Sequence, residues 1–114
     1  MSKLDSKLKE LINTFRKLRD PISGCPWDKE QDFKSIASSA IEESYEVADA
    51  IEREDYEGLK AELGDLLFQI VFHSEMAKEK NLFTLEDIVD ELNSKLIRRH
   101  PHVFGDGDVK DAKD

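Results

Sequence analysis

The chain is short of the features that usually declare a protein's class. It has one cysteine, Cys25, so no disulfide can form within it. Only three prolines and five glycines occur in 114 residues, and no segment keeps the apolar–polar alternation of a half-buried strand. That excludes a strand-rich fold. No apolar run approaches the roughly 20 residues that span a bilayer. The opening stretch, Met1-Ser2-Lys3-Leu4-Asp5-Ser6-Lys7-Leu8, is charged throughout and lacks the apolar centre of a secretion signal. The expectation is a cytoplasmic protein. Basic residues are in the minority, 17 against 26 acidic, for a net charge of −9. An acidic surface repels nucleic-acid duplexes and anionic membranes, so neither is expected as a partner, whereas divalent cations are compatible with it.

Apolar residues are also scarce for a self-sufficient core, at 39% against 38% charged. The length fits a single domain, and small domains of this composition often complete their cores by oligomerising.

Four segments show helical periodicity. The first runs over about 3–18, with Leu4, Leu8, Leu11, Ile12, Phe15 and Leu18 on one side, and stops before Asp20-Pro21. A loop rich in turn formers follows over 21–30. The second helix spans about 32–53 and turns Phe33, Ile36, Ala37, Ala40, Ser44, Val47, Ala48 and Ile51 inward. The third spans about 56–80, with Asn81 as a left-handed C-terminal cap. Thr84 and Asp87 form a capping-box pattern that opens the fourth, which ends near Arg99. These segments predict an all-α, four-helix bundle over residues 1–106 and a disordered charged tail over 107–114. Between Leu63 and Phe72 only Gly64, Asp65 and Gln69 are not apolar. A helix apolar on nearly all sides needs neighbours on nearly all sides, so a homodimer or higher homo-oligomer is expected to complete the bundle.

Against this background two acidic clusters stand out: Glu42-Glu43-Ser44-Tyr45-Glu46 and Glu62-Leu63-Gly64-Asp65. Each places two carboxylates three residues apart on one helix face. At 100° per residue, Glu43 falls about 20° from Ile36, at the edge of the apolar sector, with Glu46 about 60° beyond it. Glu42 and Asp49 point to the far side. Glu62 and Asp65 are likewise about 60° apart and share a stripe with Gln69, Phe72 and Met76. Carboxylates among apolar residues must take up protons or find a cation. Acidic residues on helices are more often a solvated face with surface ion pairs. Two such pairs on consecutive helices favour a metal site at Glu43, Glu46, Glu62 and Asp65, and Mg²⁺ suits oxygen ligands.

Glu42-Glu43-x-x-Glu46 followed by Glu62-x-x-Asp65 resembles the signature of the all-α nucleoside triphosphate pyrophosphohydrolases, and of the MazG type in particular. The likeness extends to Cys25-Pro26-Trp27-Asp28-Lys29-Glu30-Gln31, to Gly64-Asp65-Leu66-Leu67-Phe68-Gln69, and to Lys95-Leu96-Ile97-Arg98-Arg99-His100-Pro101-His102-Val103-Phe104-Gly105. It covers roughly residues 10–106. Many proteins of this type carry two such domains or are fused to another enzyme; this sequence holds one.

The resemblance implies Mg²⁺-dependent hydrolysis of a nucleoside triphosphate to the monophosphate and pyrophosphate, with Mn²⁺ as the alternative ion. A house-cleaning role against non-standard nucleotides goes with it. It implies that Glu43, Glu46, Glu62 and Asp65 hold the metal and carry catalysis, with water attacking the α-phosphorus. A triphosphate also needs cations from the protein, and Lys95, Arg98 and Arg99 lie at i, i+3 and i+4 on the fourth helix. They could grip phosphate oxygens, although basic residues favour a helix C-terminus in any case. Trp27 could stack on the base, with packing of its loop onto the helices as the favoured reading, and Lys29 could add a phosphate contact. His73 reads as a satisfied core histidine, and His100 and His102 as shaping the chain end. Two other functions compete: a narrow-specificity pyrimidine deoxynucleotide or phosphoribosyl-nucleotide pyrophosphohydrolase, and a non-catalytic helical module that binds a nucleotide or a protein.

Overall fold

The computed structural model describes residues 2–105, so the tail expected over 107–114 lies outside the described residues. Among the described residues six helices occur in order: α1 (Lys3–Leu18), α2 (Pro26–Lys29), α3 (Phe33–Glu52), α4 (Tyr56–Glu79), α5 (Leu85–Arg99) and α6 (Pro101–Phe104). Among the described residues there is no strand, and no helix is long and apolar enough to cross a membrane. The four long helices match the four periodic segments. The two single turns, α2 and α6, were not anticipated: α2 lies inside the stretch expected to be loop.

Local chemistry fixes the helix ends. Ser2, Asp32 and Thr84 cap α1, α3 and α5 through capping boxes with Asp5, Ser35 and Asp87. The C-termini of α3 and α4 close alike. Glu54 (φ 54°) and Asn81 (φ 58°) adopt the left-handed conformation, and the following N–H groups of Asp55 and Leu82 donate to the carbonyls of Ala50 and Ala77. Glu54 and Asn81 themselves donate to the carbonyls of Ile51 and Lys78, and this double bonding is the Schellman arrangement. It lets α3 turn into α4 within the three residues 53–55.

The chain divides between Leu82 and Phe83 into two compact units. In the first, α4 is the central element. Its contacts with α3 show an antiparallel pair: Phe33 at the start of α3 stacks on His73, at 6.0 Å and 3°, while Glu43 further along α3 meets Glu62 and Asp65 earlier on α4. On the other side, Phe15 of α1 packs against Phe68 and Phe72, with centroids at 5.1 and 5.6 Å. Phe15, Ile36, Ala50, Val71, Phe72, Met76 and Ala77 form the buried core.

Burial on α3 is narrower than the periodicity suggested. Ile36 is buried and Phe33, Ala40 and Val47 are half-buried, but Ala37, Ser44, Ala48 and Ile51 are exposed, while Ala50 is fully buried instead. The covered arc spans about 100°, from Ala50 through Glu43 and Ile36 to Phe33. One neighbouring helix covers no more than that. Likewise α4 is enclosed only towards its C-terminal half; Leu63, Leu67 and Ile70 remain 48%, 41% and 42% exposed.

Among its described residues the second unit holds α5 and the turn α6. His100 between them places its Nδ1 2.6 Å from the Leu96 carbonyl oxygen and its ring 5.6 Å from that of His102. No residue of α5 or α6 is fully buried.

Candidate metal centre

The α3–α4 hairpin brings together three carboxylates that are 22 residues apart at most in sequence. Glu43, Glu62 and Asp65 each offer an oxygen, and these oxygens lie within 4.8 Å of one another. Glu43 and Glu62 are half-buried and Asp65 is exposed, so the cluster opens from the helix seam towards solvent. Glu43 Oε1 is buried with no hydrogen-bond partner.

The electrostatics follow from that placement. Burial pushes the Glu43 carboxyl above the usual carboxylate range, and the charges of Glu62, Asp65 and Glu46 push it further. The Glu62 carboxyl is raised for the same reasons: burial first, then the charges of Glu46 and Asp65. The neighbouring charges that raise both groups are carboxylates. A site made only of carboxylate oxygens, with one buried oxygen lacking any donor, fits a hard divalent cation. It does not fit a soft metal that selects thiolate.

The other sequence candidates fall in different places. Glu46 is exposed and stands outside the three-oxygen group, yet its charge is the strongest felt by Glu62. Glu42 is exposed, as the wheel indicated. His73 Nδ1 donates to the Gln69 carbonyl oxygen at 2.7 Å and the residue is half-buried, consistent with a satisfied packing role. Lys95 is half-buried, while Arg98 and Arg99 are exposed in the last turn of α5.

Trp27 is 76% exposed, which overturns the expectation that it packs its loop onto the helices. The loop is held by polar contacts instead. Arg19 Nη1 donates to the carbonyls of Asp28 and Gln31, and Gln31 Nε2 donates to the Trp27 carbonyl at 2.9 Å. Arg19 in turn sits over the Phe72 ring and binds Glu79. Those two residues lie seven and fourteen positions beyond Asp65, about 10 and 21 Å along the α4 axis. Trp27 and Lys29 are therefore anchored near the C-terminal half of α4, not beside the carboxylates. The Lys29 ammonium donates to the Pro21 carbonyl at 3.2 Å.

Sequence reasoning noticed Gln69 on the acidic stripe but gave it no role. It is only 8% exposed, and its Oε1, like that of Glu43, is buried without a partner. The signal was present in the pattern: a single amide among Leu66, Leu67, Phe68, Ile70, Val71 and Phe72.

A helical hairpin that gathers carboxylates from consecutive helices at a point open to solvent is an all-α arrangement whose oxygens could hold a metal ion. Residues 31–104 match the MazG nucleotide pyrophosphohydrolase domain, and the chain belongs to that family. It is 50% identical over 109 residues to a nucleoside triphosphate pyrophosphohydrolase of Escherichia coli, covering 96% of this chain and 41% of that protein. It is 50% identical over 97 residues to the nucleoside triphosphate pyrophosphohydrolase/pyrophosphatase MazG of Thermotoga maritima, covering 85% and 38%. A nucleoside triphosphate pyrophosphohydrolase of Mycobacterium tuberculosis is 36% identical over 105 residues, with 90% and 31% covered. The chain thus spans about two-fifths of the first two relatives.

Proposed function

We propose that this chain is a Mg²⁺-dependent nucleoside triphosphate pyrophosphohydrolase that releases pyrophosphate and a nucleoside monophosphate, with non-standard nucleotides as its house-cleaning targets. The observation that carries the reading is the Glu43–Glu62–Asp65 cluster: two half-buried carboxylates and an exposed one within 4.8 Å, with burial and neighbouring carboxylates raising the Glu43 and Glu62 carboxyls. Family membership supplies the reaction class.

Glu43, Glu62 and Asp65 hold the cation, Mg²⁺ or Mn²⁺, with Glu46 at the rim completing the set. When bound, such an ion neutralises triphosphate charge and lowers the pKa of a water. The protein does the rest. The hairpin fixes the carboxylates at their spacing before any ligand arrives, and the exposed side of Asp65 leaves room for the triphosphate. Lys95, Arg98 and Arg99 meet phosphate oxygens, an assignment resting on the charge pattern of α5. Trp27, exposed at the end of a tethered loop, presents a ring for base stacking, with Lys29 beside it. A second copy of the chain covers the apolar flank of the hairpin.

The test is pyrophosphate release from a panel of standard and non-standard nucleoside triphosphates, with Mg²⁺ and with EDTA. Turnover that requires Mg²⁺ and drops at least 100-fold in Asp65→Ala is expected. No turnover of any nucleotide, or turnover indifferent to Glu43→Ala and Asp65→Ala, would overturn the proposal.

A further inference from the structure

Two buried acceptor oxygens, one on α3 and one on α4, lack donors: Glu43 Oε1 and Gln69 Oε1. Gln69 follows Asp65 by one helical turn, about 40° round the axis, and lies within about 20° of the line through Glu62. Buried polar atoms nearly always have partners, so each exception calls for an explanation. Neither orphan can satisfy the other, because an ionised carboxylate oxygen and an amide carbonyl oxygen both only accept. What both need is a donor brought from outside the chain. A hard cation brings such donors, since Mg²⁺ keeps several of its waters when carboxylates bind it.

We infer that Gln69 is a positioning residue of the carboxylate centre, its Oε1 accepting a hydrogen bond from a water of the bound cation. The inference rests on the cation site proposed above. It explains why an amide occupies the most apolar stretch of α4, where Leu or Met would pack at less cost. It also explains why Gln rather than Lys or Arg stands there: a carbonyl oxygen orients a metal-bound water, whereas a cation would compete with the metal. The amide stays neutral and adds no repulsion to the carboxylates.

The experiment is an Mg²⁺ titration of thermal unfolding, without nucleotide, on wild type, Gln69→Met and Gln69→Glu. Met matches the volume of Gln and removes the acceptor. Gln69→Met should melt at or above the wild-type temperature in EDTA, because an unpaired buried polar group has gone. Its Mg²⁺ midpoint should rise at least tenfold, the usual effect of losing a partner that orients a metal ligand. Gln69→Glu keeps an acceptor oxygen and should hold a midpoint within threefold of wild type, or tighter. An unchanged midpoint in Gln69→Met overturns the inference, as does a tenfold weakening in Gln69→Glu. Should Gln69→Met give no cooperative transition, the Gln69→Glu result decides alone. A wild-type chain that shows no Mg²⁺ response removes the cation site and the role of Gln69 together; a wild-type response retained in Gln69→Met removes only the second.

Discussion

Arg19 grips Glu79 across sixty residues of sequence, Nε to Oε2 at 2.8 Å and Nη2 to Oε1 at 2.7 Å. The same guanidinium lies 5.4 Å from the centre of the Phe72 ring and donates to two backbone carbonyls of the α2 segment. The Arg19 side chain is only 11% exposed. It thus ties α1, the Trp27 segment and α4 into one assembly, and Glu79 holds its charge by raising the guanidinium pKa further.

Arg19→Ala should therefore destabilise the protein by about 2–3 kcal/mol, the range for forked, charge-assisted bonds in a partly buried setting. Lysine cannot form the fork, so Arg19→Lys should recover less than half of that loss. Urea denaturation measures both. A loss below about 0.5 kcal/mol in Arg19→Ala would show the contact to be an ordinary surface pair.

The carboxylate centre sets a second prediction, in pH. Folding raises the carboxyl pKa values of Glu43 and Glu62 above their ordinary 4.5, by burial and by neighbouring charge. Groups raised in this way favour the folded state below pH 4.5 and lose that contribution as pH rises through their folded values. Asp20 and Asp32 act oppositely. Backbone N–H groups of Ser23 and Ile22, and of Ser35, lower them from 3.8, so their contribution is present above that pH and lost below it. In EDTA the melting temperature should pass through a maximum in the carboxylate range and fall towards neutrality. Saturating Mg²⁺ should flatten the falling limb. Glu62→Gln should raise the melting temperature in EDTA at pH 7 while losing the Mg²⁺ response. A flat EDTA profile from pH 5 to 7 would contradict the coupling between these carboxylates.

Much of this was legible in the sequence because helices announce themselves by period. The four long helices, the Thr84–Asp87 capping box and the left-handed Asn81 follow from local rules that tertiary packing did not override. Glu43 could be separated from Glu42 because 100° of rotation divides a seam from solvent. What periodicity could not supply was how much of each apolar arc a single neighbour covers, so Ala37, Ser44 and Ala48 were expected inside and stand outside. The turns α2 and α6 are four residues each, too short to show a period. Trp27 was expected to pack its loop onto the helices, whereas Arg19 anchors the loop through the backbone carbonyls of Asp28 and Gln31 and leaves the ring exposed.

The uncovered arcs carry the last prediction. In an antiparallel pair, equal rotations away from the contact line lead to the same flank. Ala37, Ile41, Ser44 and Ala48 lie about 80–140° from Ile36 on α3, and Leu63, Leu67 and Ile70 lie about 80–140° from Glu62 on α4. All seven are exposed, Ile41 at 62%. They form one continuous face of small and apolar residues, on the flank opposite Asp65 and Glu46. A contiguous patch of this kind on a soluble protein marks an interaction surface, and burying it in a symmetric pair would supply the neighbours that α4 lacks within one chain. Sedimentation should show at least a dimer at micromolar concentration. Leu67→Asp should shift the chain to monomer and lower its melting temperature, since a charge at the centre of an apolar interface is left unpaired. A wild-type chain that sediments as a compact monomer would refute the pairing. A Leu67→Asp chain that stays dimeric would place the interface on another face.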